Sequence, residues 1–260
     1  MSFKDHFSKQ AADYAKFRPR YPKELFIYLR SVAPSGQLAW DCGTGNGQAA
    51  GELALVFDHV IATDASEKQI ANAEPYERVE YRVAPAENSG IESTTLDLIM
   101  VAQALHWFDL ERFYAEAQRV LRLDGVFAAS AYNLLHINRA IDEVVNWYYY
   151  EVVGFFWPPE RKLVEQFDNL PFPFHKIDPP TFEMTAHWNL DHLVGYLRTW
   201  SSTQRFIAAK GSDPLTQIMD DLRAVWGASE QTRKVIWPLT LRIGRKPRSL
   251  SPSGLYAADL

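Results

Sequence analysis

The sequence predicts an α/β fold in which a doubly wound, Rossmann-like sheet of mostly parallel strands carries a helical and irregular cap. Short apolar runs alternate with amphipathic helical patterns over the first half of the chain. A glycine-rich turn follows the first of these runs, and proline-rich and aromatic segments interrupt the pattern after residue 132. Alternating strands and helices indicate a parallel sheet, because parallel neighbours need a crossover connection.

The elements of the first half follow one another at short intervals. Pro22 suits the first turn of a helix whose apolar residues recur up to Ala33. Ser66 and Gln69 have the spacing of a capping box at the start of another helix. Strands are predicted over 38–40, 59–63, 79–83, 96–101 and 125–131, and further helices over 49–56 and 110–121.

The second half has a less regular pattern. Residues 137–153 read as helical, but the prolines of 157–159 and 170–174 break any regular element, and we therefore expect a cap over 133–180. Residues 182–188 and 235–243 alternate like strands that complete the sheet, with helices near 190–200 and 214–225. We expect one domain over 1–245 and a mobile tail over 246–260, which is rich in Ser, Pro and Gly.

Composition limits the function classes. The 260 residues, 47% of them hydrophobic, suffice for one large core. A net charge of -5 argues against general electrostatic binding to nucleic acid or to an anionic membrane. Cys42 is the single cysteine, the first ten residues are too charged for a signal peptide, and the apolar stretch 96–108 is too short to span a bilayer. We expect a cytoplasmic monomer or homodimer that acts on a small molecule, without a metal.

The glycine-rich turn is the candidate cofactor site. Gly43, Gly45 and Gly47 lie between a strand and a helix, where the backbone can approach a ligand closely. A dinucleotide fingerprint needs glycine at the sixth position, which here is Gln48. Asp41 would repel a pyrophosphate but attract an ammonium or sulfonium group. The turn therefore favours S-adenosylmethionine over NAD.

Asp64 is the second candidate. It lies 21 residues after Gly43, at the predicted end of the second strand, where a carboxylate can accept hydrogen bonds from both ribose hydroxyls. Glycine turns and strand-end aspartates are also ordinary loop chemistry. The two features together favour a cofactor site.

The order of these motifs resembles that of a class I S-adenosylmethionine-dependent methyltransferase of the small-molecule, type 11-like kind. Besides Asp41 to Gly47 and Asp64, the resemblance rests on Ala86 and Glu87 after the third strand and on 103–108 after the fourth. It covers roughly residues 7–243 and implies a seven-stranded sheet in which only the last strand is antiparallel. It also implies that Ala86 and Glu87 contact adenine, with Glu87 accepting from the amino group, and that Gln103 belongs to the cofactor site.

Within that superfamily the chain resembles the trans-aconitate methyltransferase-related branch. The residues that carry this resemblance are Phe7, Tyr14, Arg18-Pro19, Tyr21-Pro22 and the segment from Gln103 to Phe108. The branch implies that residues 1–21 form a lid over the cofactor, with Tyr14 and Arg18 near its methionyl part. A surface arm with scattered aromatic residues is the alternative.

The methyl acceptor is expected at the carboxyl ends of the strands. The candidate acceptor residues are Trp107, Phe108, Tyr132 and Trp157, with Arg20 or Arg18 as a counter-charge. His106 is the candidate base, although a lone histidine is more often structural.

Three functions remain open from the sequence. The leading hypothesis is methylation of a small, trans-aconitate-like acid on a carboxylate oxygen, which needs no base. The alternatives are transfer to carbon, nitrogen or a hydroxyl of another metabolite, and a non-catalytic regulatory protein that binds S-adenosylmethionine.

Overall fold

The computed structural model describes residue 17 and residues 19–247. Its strands are β1 (Leu38–Cys42), β2 (His59–Asp64), β3 (Val79–Val83), β4 (Leu96–Ala102), β5 (Leu121–Tyr132), β6 (His175–Ile177), β7 (Phe182–Trp188) and β8 (Arg233–Arg245). Its α-helices are α1 (Lys23–Val32), α2 (Gln48–Leu53), α3 (Glu67–Ala71), α4 (Leu110–Val120), α5 (Arg139–Trp147), α6 (Arg161–Glu165), α7 (Leu190–Arg198), α8 (Ser201–Lys210) and α9 (Met219–Trp226). The expected lid residues Tyr14 and Arg18 and most of the expected tail lie outside the described residues.

The sheet has the strand order β3-β2-β1-β4-β5-β8-β6, and β7 also pairs with β8. Strands β1 to β5 pair in parallel, whereas β8 runs antiparallel to β5, β6 and β7. The predicted Rossmann-like α/β fold is therefore confirmed.

The described sheet contains eight strands where the sequence predicted seven. The outermost position is divided, because β6 pairs with one end of the long strand β8 and β7 pairs with the other. Pro179 and Pro180 separate β6 from β7, and proline cannot donate to a strand ladder. With three residues, β6 is too short to show an alternating pattern.

The central strands are apolar because helices cover both faces of the sheet. In β4, every residue from Leu96 to Val101 is buried. One face packs on α4 through Phe113 and Ala117, and the other packs on α1 and α2 through residues such as Phe26 and Leu53. These two layers hold the strands in place and leave their carboxyl ends at one edge.

A third apolar cluster lies beside the sheet. It joins residues of α5 with residues of α7, α9 and the outer strands, and Tyr148, Trp226 and Trp237 are fully buried in it. The helical pattern predicted over 137–153 is α5 followed by a π-helical turn, Tyr148–Val152. Such turns are frequent at functional sites, and this one places Tyr149 beside the cavity described below. Among the described residues no helix has the length and apolar composition that crossing a membrane requires.

Candidate active site

The glycine-rich turn leaves β1 and doubles back against the end of β2. The backbone amides of Gly43 and Thr44 both donate to the Thr63 carbonyl, at 2.9 Å each. The three glycines have φ angles of 72°, 57° and 88°, in the left-handed region that side chains disfavour. A Cβ atom at Gly43 would lie 2.6 Å from the Ala104 Cβ atom, whereas one at Gly45 would meet nothing within 4 Å. The turn therefore needs glycine for its shape, and Gly45 faces open space.

Asp41 is fully buried beneath this turn. Its Oδ2 atom accepts a hydrogen bond from the Thr44 hydroxyl at 2.6 Å, and its Oδ1 atom makes no well-formed hydrogen bond within the described chain. Burial raises the pKa of Asp41 from 3.8 to about 7, against the opposing effects of Thr44 and the Ala50 amide. A buried carboxylate with an unsatisfied oxygen fits a cationic ligand group such as an ammonium.

Asp64 is the last residue of β2, and its carboxylate forms hydrogen bonds that hold the glycine-rich turn in place. Its Oδ2 atom accepts from the Gly45 amide at 2.9 Å, and its Oδ1 atom accepts from the Ser66 amide at 2.9 Å. Ser66 in turn caps α3 by accepting from the Gln69 amide, as the capping-box spacing predicted. Asp64 thus holds the middle glycine in position, a role that the sequence analysis did not foresee.

The loop after β3 brings Ala86 and Glu87 to the same edge of the sheet. Ala86 is buried, and Glu87 is half-buried. The Glu87 Oε1 atom accepts from the Asp109 amide at 2.9 Å, which ties this loop to the start of α4. The structure therefore places Glu87 between the segments that follow β3 and β4.

Gln103 bridges the ends of β4 and β5. Its side-chain amide donates to the Tyr132 carbonyl at 3.0 Å and accepts from the Tyr132 amide at 2.9 Å. Its own backbone amide donates to the Ser130 carbonyl, and its φ angle is 56°. Gln103 consequently extends the strand pairing by one step, and its side chain forms part of a cavity wall.

A small cavity, about 80 Å³ in volume, opens at this edge beyond Gln103. Three of the predicted acceptor residues, Trp107, Tyr132 and Trp157, line it. The complete described lining is Gln103, His106, Trp107, Tyr132, Asn133, Leu134, Tyr149, Trp157, Pro158, Arg161, Tyr196, Trp200 and Ser201. The cavity is therefore aromatic, with polar groups on both its sheet side and its cap side.

Two predicted acceptor residues lie elsewhere. Phe108 faces Gly43, whose added Cβ atom would lie 3.1 Å from the ring, and it packs on Phe113 at 4.8 Å between ring centroids. Arg20 is exposed and does not line the cavity. Burial raises the pKa of Tyr76, and the nearby charge of Arg20 opposes that shift. Phe108 thus packs against the glycine-rich turn, and Arg20 lies near Tyr76.

His106 lines the cavity with its ring 4.6 Å from that of Trp107. The side chain retains some exposed surface, but the atoms packed around the ring remove most of its hydration. This burial, together with the charge of Arg161, lowers the pKa of His106 to about 3. The imidazole is therefore neutral at neutral pH and a weak proton acceptor.

Arg161 and Tyr149, which the sequence does not predict as site residues, line the cavity from the cap side. The Arg161 Nε atom donates to the Tyr149 hydroxyl at 2.9 Å, and Nη2 donates to Asn133 Oδ1 at 3.2 Å. Neither residue belongs to a motif, and α6 has only five residues. The nearest signal in the sequence is their closeness to Trp157, which was predicted as an acceptor residue.

Comparisons with known proteins agree with this geometry. A family model for a methyltransferase domain matches residues 40–129, which contain the glycine-rich turn, Asp64 and Gln103. A Dictyostelium discoideum protein named as a methyltransferase is 34% identical over 252 residues, 94% of this chain and 96% of that protein. The chain belongs to the class I S-adenosylmethionine-dependent methyltransferases.

Two further comparisons support the assignment to this family. The structure of a protein described as a type II methyltransferase from Anaeromyxobacter dehalogenans is similar with a TM-score of 0.84 and 44% identity, covering 88% of this chain and 98% of that one. A Saccharomyces cerevisiae protein named for S-adenosylmethionine-dependent methyl transfer is 30% identical over 128 residues, 46% of this chain and 44% of that protein. The methyltransferase fold therefore extends through the cap as well as the central sheet.

Proposed function

We propose that this methyltransferase transfers a methyl group to a carboxylate oxygen of a small organic acid that binds in the cavity beside Gln103. The observation that favours a carboxylate over a hydroxyl acceptor is the lack of a usable base in the described lining. His106 has a pKa of about 3, burial is the largest cause that raises the pKa of Tyr149 to about 12, and the described lining contains no Asp or Glu. A carboxylate, with a reference pKa of about 4, needs no base, whereas a hydroxyl usually does.

The cofactor part of the proposal concerns the opposite side of Gln103. The residues proposed to hold S-adenosylmethionine are Asp41, Gly43, Gly45, Gly47, Asp64, Ala86, Glu87 and Gln103, with Tyr14 and Arg18 from the expected lid. The buried, unsatisfied Oδ1 atom of Asp41 and the open space at Gly45 support this assignment. Asp64 would accept from the ribose hydroxyls, and Glu87 would accept from the adenine amino group.

The reaction asks for alignment more than for proton transfer. S-adenosylmethionine supplies a methyl group on a cationic sulfur; its transfer to a carboxylate oxygen forms an ester, and the electron pair of the broken carbon–sulfur bond remains on a neutral thioether. The protein has to position the acceptor, which is worth about 7–11 kcal/mol in well-oriented reactions. Trp107, Trp157 and Trp200 line the cavity and would exclude water. A cavity of this size suits the reacting end of a small acid.

The test is product identification. The protein is incubated with methyl-labelled S-adenosylmethionine and fractions of a metabolite extract, and the labelled product is treated with mild alkali. Because esters hydrolyse under these conditions, we expect the label to leave as methanol. A label that stays on carbon, nitrogen or an ether oxygen would contradict carboxylate methylation.

Binding without turnover is the remaining outcome. If calorimetry detects S-adenosylmethionine binding but no extract fraction yields a labelled product, the non-catalytic regulatory function replaces the proposed one. NADH is the control ligand, and we expect it to bind far more weakly because the turn lacks the third glycine of the dinucleotide fingerprint.

A further inference from the structure

Arg161 supplies the one cationic side chain in the described lining of the cavity. Its two hydrogen-bond acceptors, the Tyr149 hydroxyl and the Asn133 amide oxygen, are both neutral. It forms no ion pair with a described residue. A positive charge at a cavity whose described lining holds no Asp or Glu favours an anionic ligand. The exposed Glu165 is linked to the guanidinium only through the Tyr149 hydroxyl.

The guanidinium group is held in place before any ligand arrives. Its central carbon lies 5.6 Å from the centre of the Tyr149 ring and 5.2 Å from that of Trp157. The Tyr149 hydroxyl donates to the Glu165 Oε1 atom at 2.9 Å, so that hydroxyl is fixed as well. An ordered guanidinium loses little further entropy when it binds a ligand.

The donor count and the charge define the kind of anion. A guanidinium has five N–H donors, and the two bonds described above use only two of them. The remaining donors suit the two oxygens of a carboxylate. A phosphate carries a charge of about -1.5 to -2 at neutral pH, and the described lining offers only one positive charge against it. A carboxylate monoanion is therefore the better match.

We propose that Arg161 determines acceptor specificity by binding a carboxylate of the acceptor, while Tyr149 is a positioning residue that orients the guanidinium. Trp157 and Trp200, whose ring centroids are 5.6 Å apart, provide the apolar surface for the body of the same molecule. This inference rests on the proposed function and deepens it, because it names the group that selects the acid.

The test is a binding experiment that does not depend on turnover. The full-length protein is saturated with S-adenosylhomocysteine and titrated with acetate, crotonate and benzoate, each compared with its neutral amide, and with phenyl phosphate. Quenching of tryptophan fluorescence and calorimetry report binding. We expect at least one acid to bind at least tenfold more tightly than its amide and than phenyl phosphate. If no acid is preferred over its amide, the inference is wrong.

Variants then assign the preference to Arg161. Arg161→Gln should weaken binding of the preferred acid at least tenfold and leave binding of its amide unchanged. Arg161→Lys should have an intermediate affinity for the acid, because lysine keeps the positive charge but cannot donate to both carboxylate oxygens as a planar guanidinium does. Arg139→Gln, which removes a cap arginine whose side chain is 93% exposed, is the matched control and should have no effect. Equal binding by Arg161→Gln and wild type would overturn the proposal, and retained binding of S-adenosylhomocysteine shows that each variant is folded.

The positioning role of Tyr149 has its own readout. Tyr149→Phe should raise the acceptor KM roughly threefold to tenfold and leave kcat within about twofold, because it loosens the guanidinium without removing its charge. A roughly threefold to tenfold fall in kcat with an unchanged KM would refute the positioning role of Tyr149.

The outcomes separate this inference from the proposed function. If the product is alkali-labile but acid binding is unchanged in Arg161→Gln, carboxylate methylation stands and the proposed role of Arg161 is refuted. If the product is methylated on nitrogen or on an ether oxygen but acid binding depends on Arg161, the proposed function is refuted and the proposed role of Arg161 stands.

Discussion

The two halves of the candidate site are built in different ways. On the proposed cofactor side, backbone geometry determines the shape of the site, since three glycines at positive φ and the amides of Gly43, Thr44 and Gly45 form the turn. On the acceptor side, side chains from distant parts of the sequence meet in one cavity, including His106, Tyr149 and Arg161. The charges also differ, because a buried acid lies under the turn and a cation faces the cavity.

This difference explains why the cofactor is easier to predict than the acceptor. A turn that depends on backbone conformation has a local signature, because only glycine adopts it readily. A cavity formed by side chains can change its lining without changing any motif. The variants below test whether the two halves depend on each other and on the scaffold that carries both.

The largest effect is expected at the opposite edge of the sheet. Asp97 is fully buried and accepts from the Ser35 hydroxyl at 2.7 Å, from the Gln37 and Leu38 amides at 3.0 Å each, and from Arg122 at 3.0 Å. Asp97→Ala should lower the free energy of unfolding by about 3 kcal/mol, because it leaves buried donors and a cation unpaired. Denaturant titration measures this loss.

The comparison requires that this loss of stability stays separate from ligand binding. Cofactor affinity of folded Asp97→Ala should remain within about twofold of wild type. The control is Asp220→Ala, because Asp220 is 99% exposed and pairs only at the surface, where an ion pair is worth about 0–1 kcal/mol. A large drop in cofactor affinity for Asp97→Ala would show that the turn depends on the distant edge.

A smaller effect is expected at Asp64, on the cofactor side. Asp64→Ala removes the acceptor proposed for the ribose hydroxyls and the acceptor of the Gly45 and Ser66 amides. We expect a loss of about 1.5–3 kcal/mol in the binding of S-adenosylmethionine, measured by calorimetry, with acid binding at Arg161 kept. Unchanged cofactor affinity in a folded variant would remove Asp64 from the site.

A matched pair of glycines separates backbone strain from ligand approach. Gly45 and Gly90 have φ angles of 57° and 69°, and an added Cβ atom would meet nothing within 4 Å at either position. Alanine at each should therefore lower the free energy of unfolding by a similar 1–2 kcal/mol, roughly the cost of a left-handed residue. Only Gly45→Ala should also weaken S-adenosylmethionine binding, by about tenfold. Equal cofactor affinity of the two variants would contradict the close approach at Gly45.

The pKa of Asp41 predicts a pH effect of about tenfold. Because burial raises this pKa from 3.8 to about 7, the folded protein holds the proton more tightly than the unfolded chain. The contribution of Asp41 to stability is thus present below about pH 4 and is lost as the pH rises through 7. A cationic ligand favours the ionised carboxylate, so S-adenosylmethionine affinity should rise about tenfold between pH 6 and 8. Asp41→Asn should abolish that slope, and a slope that persists would exclude Asp41 as its source.

The same contrast describes how far the sequence alone could go. The turn and Asp64 follow from glycine spacing and strand ends, and the parallel pairing of β1 to β5 follows from the alternation of strands and helices. The anchoring of Gln103 on Tyr132 and the bond from the Asp109 amide to Glu87 depend on neighbours that meet only in the folded chain. Arg161 escaped prediction because a short helix after two prolines carries no periodic signal.

The smallest effect is expected at His106. With a pKa of about 3, its imidazole stays neutral from pH 5.5 to 9, so wild-type turnover should show no step from His106 across this range. His106→Asn should reduce single-turnover methyl transfer by less than about tenfold, because general-base catalysis, typically worth about 10²–10⁴, is not in use for a carboxylate acceptor. The control is His187→Asn, since His187 is exposed on β7 and should change nothing. A hundredfold loss for His106→Asn, with fold and cofactor affinity intact, would make His106 the base and favour a hydroxyl acceptor. The acceptor half would then combine a base on the segment after β4 with the proposed carboxylate-binding Arg161 on the cap, on the two sides of one cavity.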